Sequence, residues 1–176
     1  SMSSTALSGL EDAVEYLVSY PYECAEQTAS RVLPIFALSK ILDDFPVAGI
    51  RDTVRRNQLA NDGIERLLSK QNGDGGFGYW VRGESFPYLS NWVTFALLEG
   101  KRAGYDVEPK ALARALSYVE NFVTHGHRTR WGVYHDWTSR AVGLWLLSGE
   151  KRGKALFDRV WAHRKDMPLY ARALLM

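Results

Sequence analysis

Apolar side chains recur at helical spacing through most of this chain. Leu10, Val14 and Leu17 stand three and four apart, which predicts a short amphipathic helix over about 7–18. Ser19-Tyr20-Pro21 ends it, because the residue before a proline is pushed out of the helical region. A second helix is predicted over about 25–42, with Val32, Ile35, Phe36, Ser39 and Leu42 on one broad face. Pro34 falls inside it, at a cost of about 3 kcal/mol, yet the apolar spacing continues on both sides. The stretch 54–70 turns Ala60, Ile64, Leu67 and Leu68 inward. The stretch 91–103 is apolar nearly all round, the pattern of a helix buried on most sides. Over 109–123 the face is Leu112, Ala115, Leu116, Val119 and Phe122. An apolar helix over 138–147, a seventh over about 154–164 and the start of an eighth over 169–176 complete the series.

Polar outer helices thus alternate with apolar inner ones, in pairs that recur about every 40–50 residues, a period of helical-repeat architectures. The predicted fold is all-α: an α/α toroid or short solenoid of helical hairpins. Two connections pair glycine with aromatics, Gln71-Asn72-Gly73-Asp74-Gly75-Gly76-Phe77-Gly78-Tyr79-Trp80 and Trp131-Gly132-Val133-Tyr134-His135-Asp136-Trp137. Glycine there permits positive φ and close backbone approach, and the expected role of the first loop is to plug the end of the barrel with aromatic rings. No Lys-Ser/Thr pair follows it, so it carries no phosphate-site signature.

Composition narrows the class. A chain of 176 residues, 46% hydrophobic and 12% aromatic with six Trp, is a folded globular chain with room for a core. Lys plus Arg total 22 against 20 Asp plus Glu, interspersed, and nothing in that balance argues for nucleic acid. The apolar runs fall far short of a membrane span. One Cys excludes an internal disulfide. Ser1-Met2 reads as a cloning remnant, which leaves 3–176 as the domain.

That single cysteine stands in Tyr20-Pro21-Tyr22-Glu23-Cys24-Ala25-Glu26-Gln27-Thr28. At the start of a helix, residues three apart are neighbours with Cβ atoms roughly 5–6 Å apart, so the Cys24 thiol and the Gln27 carboxamide can meet. A helix N-terminus favours negative charge, and the thiolate is the nucleophile. Attack on the Gln27 side chain with loss of ammonia would leave an internal thioester, an activated acyl group whose leaving group is the same thiolate. The ordinary reading of Cys24 is a buried free thiol, and that of Glu26 an acidic residue complementing the helix dipole.

The run Cys24-Ala25-Glu26-Gln27 resembles the thioester motif of the alpha-2-macroglobulin and complement family. Its flanks Tyr20-Pro21-Tyr22 and Thr28-Ala29-Ser30-Arg31 look like the bacterial branch. The sequence departs from many animal members, which have Gly on both sides of the Cys where Glu23 and Ala25 stand here, and from a common Asn where Thr28 stands. The first glycine loop resembles the Gln-Trp type motif of terpenoid-cyclase-like toroids, the fold such domains share. The resemblance implies a thioester between Cys24 and Gln27, with Glu26 supporting it. It implies a single-turnover inhibitor module, not a turnover enzyme, that traps attacking proteases through their lysine amines, with no cofactor and with the bait and shielding domains elsewhere in a parent chain. A periplasmic or cell-surface location follows from the family alone. A family domain has about six hairpins and this chain about four, so the chain is expected to be the first part of one, with an apolar seam where further hairpins would pack.

Other residues admit two roles each. Tyr20 and Tyr22 flank the cysteine and could keep water from the bond, since aromatic rings supply dry surface, or could simply pack at a helix end. Some family members carry a His that relays the acyl group to hydroxyls; His135, in a loop before an inner helix, is the candidate, against an ordinary loop histidine. His125-Gly126-His127 lacks a third metal ligand at suitable spacing and reads as a turn. Two other function classes stay open: a toroid enzyme of terpenoid-cyclase or prenyltransferase type, for which Asp43-Asp44 is the nearest acidic pair, and a non-catalytic helical-repeat scaffold. A cysteine hydrolase using Cys24 and a distant His would leave Gln27 unexplained.

Overall fold

The computed structural model describes residues 24–37, 52–129, 132–134 and 136–176. The helix predicted over 7–18, the end of the second helix, Asp43-Asp44, Tyr20, Tyr22 and His135 lie outside the described residues.

Among the described residues five longer helices carry the fold: α1 (Ala25–Ala37), α2 (Thr53–Leu68), α3 (Pro87–Arg102), α4 (Pro109–His125) and α5 (Trp137–Gly149). The inner row is α1, α3 and α5, each packed on the next, with α2 set outside α1 and α3 and α4 outside α3 and α5. Burial follows that order. Leu89, Val93, Ala96 and Leu97 of α3 have no exposed surface, whereas α2 buries one stripe of Arg56, Ala60, Ile64 and Leu67. This is the hairpin layering of the expected α/α toroid.

Local sequence explains the helix ends. Pro87 and Pro109 open α3 and α4, at positions where the missing N–H is no loss. Helix α3 therefore begins at Pro87, four residues before the apolar run that predicts it. Helix α1 passes through Pro34, because Leu33, Ile35 and Phe36 are buried on either side and their packing offsets the lost hydrogen bond. Gly63 lets α2 lie against α1: a Cβ there would collide with Val32 Cγ1.

Two expectations need correction. The segment predicted as one helix over 154–164 is a 3₁₀ turn (Lys154–Leu156), a short α6 (Phe157–Trp161) and, further on, a second 3₁₀ turn (Arg164–Asp166) before α7 (Leu169–Ala173). Of the residues from Lys154 to Asp166 only Val160 is buried, so no apolar face holds a long helix straight. The second glycine-aromatic connection is also more than a loop. It contains an antiparallel pair, β1 (His127–Thr129) and β2 (Gly132–Tyr134), with His127 opposite Tyr134. Gly126, at φ 81°, ends α4 and begins that hairpin, which agrees with the expected turn at His125-Gly126-His127.

The first glycine loop is tied down on three sides. Gln71 Nε2 donates to Ala111 O of α4 at 2.9 Å, and Arg114 Nη2 donates back to Gln71 Oε1 at 2.6 Å. Phe77 N donates to Ser90 Oγ of α3 at 2.9 Å. Asn72 Nδ2 donates to Gly83 O at 2.7 Å and to Ser85 Oγ at 2.9 Å. Phe77 is fully buried, as a plug requires, but Trp80 is 61% exposed and plugs nothing. Leu169, Tyr170 and Met176 also lie largely exposed, apolar surface at the α7 end of the molecule. A cavity of about 340 Å³ between α3, α5 and α7 is lined by Trp92, Phe95, Trp145 and Tyr170 among others.

Candidate functional site

The first N–H groups of a helix have no partner within it, so the residue preceding α1 is under pressure to supply one. Cys24 is that residue. Its carbonyl accepts from Thr28 N at 2.9 Å and from Thr28 Oγ1 at 3.0 Å, which closes the first turn. Its sulfur lies 3.5 Å from Gln27 N, which donates to it. In return Cys24 N donates to Gln27 Oε1 at 3.4 Å. This is the reciprocal pattern of a capping box, in which residues N-cap and N3 each bond the other's backbone, with a thiol where Ser or Thr is usual. Both side chains are thereby folded back over one turn. The 3.4 Å bond is longer than the usual range of about 2.7–3.2 Å for N–H···O.

Cys24 is 8% exposed and Gln27 half-buried. A sulfur and a carboxamide held in this ring can exchange partners, and the N–H aimed at Oε1 sits where negative charge would develop during attack on the amide carbon.

The glycine loop completes the end of the helix. Tyr79 O accepts from Ala25 N at 3.0 Å. One residue earlier, Gly78 N donates to Lys70 O at 3.4 Å, so Gly78-Tyr79 bridges the end of α2 to the start of α1. Lys70 is 7% exposed, and its Nζ donates to Arg66 O at 3.1 Å. Burial, with help from the Arg66 cation, lowers the Lys70 ammonium below its ordinary range, while Cys24 pulls it back up. Burial raises the Tyr79 phenol, and the charges of Glu26 and Cys24 add to it. Tyr88, at the head of α3, donates from its hydroxyl to Glu26 Oε1 at 3.4 Å, and burial followed by Glu26 raises its pKa.

The structure thus brings Cys24, Glu26 and Gln27 together. Lys70, Tyr79 and Tyr88 join them without having been singled out by sequence. Lys70 had a readable signal: in the helix predicted over 54–70 it continues the i, i+3 series Ile64, Leu67, Lys70 on the buried side, although α2 ends at Leu68 and Lys70 lies in the turn that follows. Tyr79 and Tyr88 had none, since one acts through its carbonyl and the other reaches a residue 62 positions away.

The family model for the A-macroglobulin TED domain matches residues 1–139. The chain belongs to that family. An Escherichia coli alpha-2-macroglobulin is 34% identical to this TED domain over 166 residues, 87% of this chain and 10% of that protein. The chain therefore spans about a tenth of the length of that curated relative. Among solved structures, native Escherichia coli alpha-2-macroglobulin, from an internal domain to its C-terminus, superposes with a TM-score of 0.78 at 25% identity. That match covers 90% of this TED domain and 26% of the other chain. Salmonella alpha-2-macroglobulin reacted with methylamine gives 0.77 at 25% identity, over 90% of this chain and 11% of that one. The helical layering described above is the α/α toroid of these TED domains.

Proposed function

We propose that this TED domain closes a thioester between Cys24 and Gln27 and uses it once, to trap an attacking protease covalently. In closing, the Cys24 sulfur bonds to the Gln27 side-chain carbon, the carbon–nitrogen bond breaks, and the thiol proton leaves with the nitrogen as ammonia. In use, a lysine amine of the protease attacks that carbon, a new amide forms, and Cys24 departs and ends as a thiol. The product is an inhibited protease tethered to Gln27, so the domain is an inhibitor module consumed by its own reaction.

The observation that carries this reading is the reciprocal ring at the head of α1, where Gln27 N meets Cys24 Sγ and Cys24 N meets Gln27 Oε1. The Salmonella relative that was solved after reaction with methylamine supports an electrophile in this family open to a small amine. Glu26, held by Tyr88, steadies the turn from the outside. Tyr20 and Tyr22 shield the bond from water, and His135 relays the acyl group to hydroxyl acceptors. Residues 3–176 belong to a larger parent protein, working in the periplasm or at the cell surface, whose other domains supply the bait and the shield.

Intact mass spectrometry of the parent protein tests this directly. The expected mass is lighter by one ammonia than the sequence requires, and methylamine should add its own mass while freeing one thiol. A protein of full sequence mass with a free Cys24 before any treatment would end the proposal.

A further inference from the structure

We infer that the Lys70 amine is the proton carrier for the Cys24 sulfur, in both the closing and the opening of the bond. This inference rests on the thioester reading and assigns the proton that reading leaves unassigned. Lys70 sits in the turn that follows α2 with 7% of its surface exposed, an unusual degree of burial for a lysine. Its one described side-chain hydrogen bond, Nζ to Arg66 O, leaves two further ammonium protons to give. The backbone ties Lys70 to the loop that holds the head of α1: Gly78 N donates to Lys70 O, and the next residue, Tyr79, accepts from Ala25 N through its carbonyl.

The electrostatics run in the direction a carrier needs. Among the described residues, the groups that act on Lys70 are Arg66 in the last turn of α2 and Cys24 across the loop, and Glu26 and Tyr79 border Cys24 in turn. Burial and Arg66 favour the neutral amine, which can accept a proton. While the thioester is intact Cys24 has no charge, so among the described residues the group that opposes that effect is silenced. As the carbon–sulfur bond breaks, negative charge on the sulfur makes Lys70 more basic and keeps the proton beside the group that must receive it.

In opening, the attacking amine bonds to the Gln27 carbon and gives its proton to Lys70 Nζ. The carbon–sulfur bond breaks, and Lys70 passes the proton to Cys24. The products are an amide, a thiol and the free lysine amine. Closing is the same route in reverse with ammonia as the amine: the thiol proton goes to Lys70 and then to the departing nitrogen.

The test compares the parent protein with its Lys70→Met and Lys70→Arg variants, reading thioester content by intact mass and methylamine-driven thiol release across pH. General acid–base catalysis contributes about 100-fold or more, so Lys70→Met should release thiol about 100-fold more slowly and lose the pH dependence that tracks the Lys70 amine. Lys70→Arg should be as slow, because a guanidinium keeps its proton. A folded Lys70→Met protein, judged by circular dichroism, that keeps its ammonia and never closes the bond also supports the inference. If that variant does not fold, the Arg variant decides. Wild-type rate and pH profile in either folded variant would overturn it, and so would full rescue by Arg, which would reduce Lys70 to a fixed charge. A wild-type protein without the ammonia loss would instead overturn the thioester reading beneath it.

Discussion

Two helices in this molecule begin in opposite ways. Helix α2 opens on Asp52, in extended backbone, whose Oδ1 accepts from Val54 N at 2.9 Å, an ordinary strong cap. Helix α1 opens on Cys24, whose sulfur takes the same kind of bond at 3.5 Å and whose own N–H reaches Gln27 Oε1 at 3.4 Å. A thiol is a weak acceptor, so α1 has the poorer cap at the more buried end. The loop compensates through Tyr79 O on Ala25 N, and the side chain of Thr28 adds a second bond to Cys24 O. The difference teaches that α1 has a weak cap braced by the loop, whereas α2 has a strong cap supplied by its own N-cap residue, and under the proposed function the weak cap is the reactive one.

Substituting the reactive cap should have the largest effect. Cys24→Ser keeps the capping-box geometry with a better acceptor. It should abolish covalent capture and the ammonia loss altogether, while raising stability by up to about 1 kcal/mol. Protease-conjugation gels and thermal melts read the two effects separately, and a protein that still forms conjugates would remove Cys24 from the chemistry.

The next test removes the brace. Gly75 sits at φ 89°, and a Cβ there would collide with Arg114 O, a backbone atom that cannot step aside. Gly75→Ala should cost about 2 kcal/mol or more and loosen the loop that presents Tyr79. Hydrogen exchange should accelerate at Ala25 and Gln27 well before it does at Val54. Equal acceleration at both helix ends would show that α1 does not depend on the loop.

Removing the conventional cap gives the control. Asp52→Ala should destabilise by about 1 kcal/mol in denaturant unfolding and leave the rate of reaction with methylamine unchanged. The smallest effect belongs to Tyr88→Phe, which deletes a long bond to Glu26 from an exposed hydroxyl. Stability should stay within about 0.5 kcal/mol, the small steadying part assigned to Glu26, and a larger loss would make Glu26 a main support of the cap.

Much of the fold is legible in the periodicity. The inner character of 91–103 and 138–147, the striped faces of 54–70 and 109–123, and the passage of a helix through Pro34 all follow from where apolar residues stand. Boundaries were harder where proline or glycine acts against the pattern: Pro87 starts α3 before its apolar run, and Gly126 converts the approach to the second loop into a hairpin. The segment after Gly153 failed as one helix because its residues carry the composition of a helix without an apolar stripe to bury.

At the site, the spacing of Cys24 and Gln27 is a local fact, since one helical turn relates them, and sequence alone could place both on one surface. Sequence also determined that an acidic residue, Glu26, stands between them. Only the tertiary structure decided what surrounds that turn. Lys70 is 46 positions from Cys24 and Tyr88 is 62 from Glu26, and no local pattern relates residues that far apart. Their meeting depends on how α2, the glycine loop and α3 converge on the head of α1. That convergence is set by packing across the toroid, where each helix is fixed by partners distant in the chain.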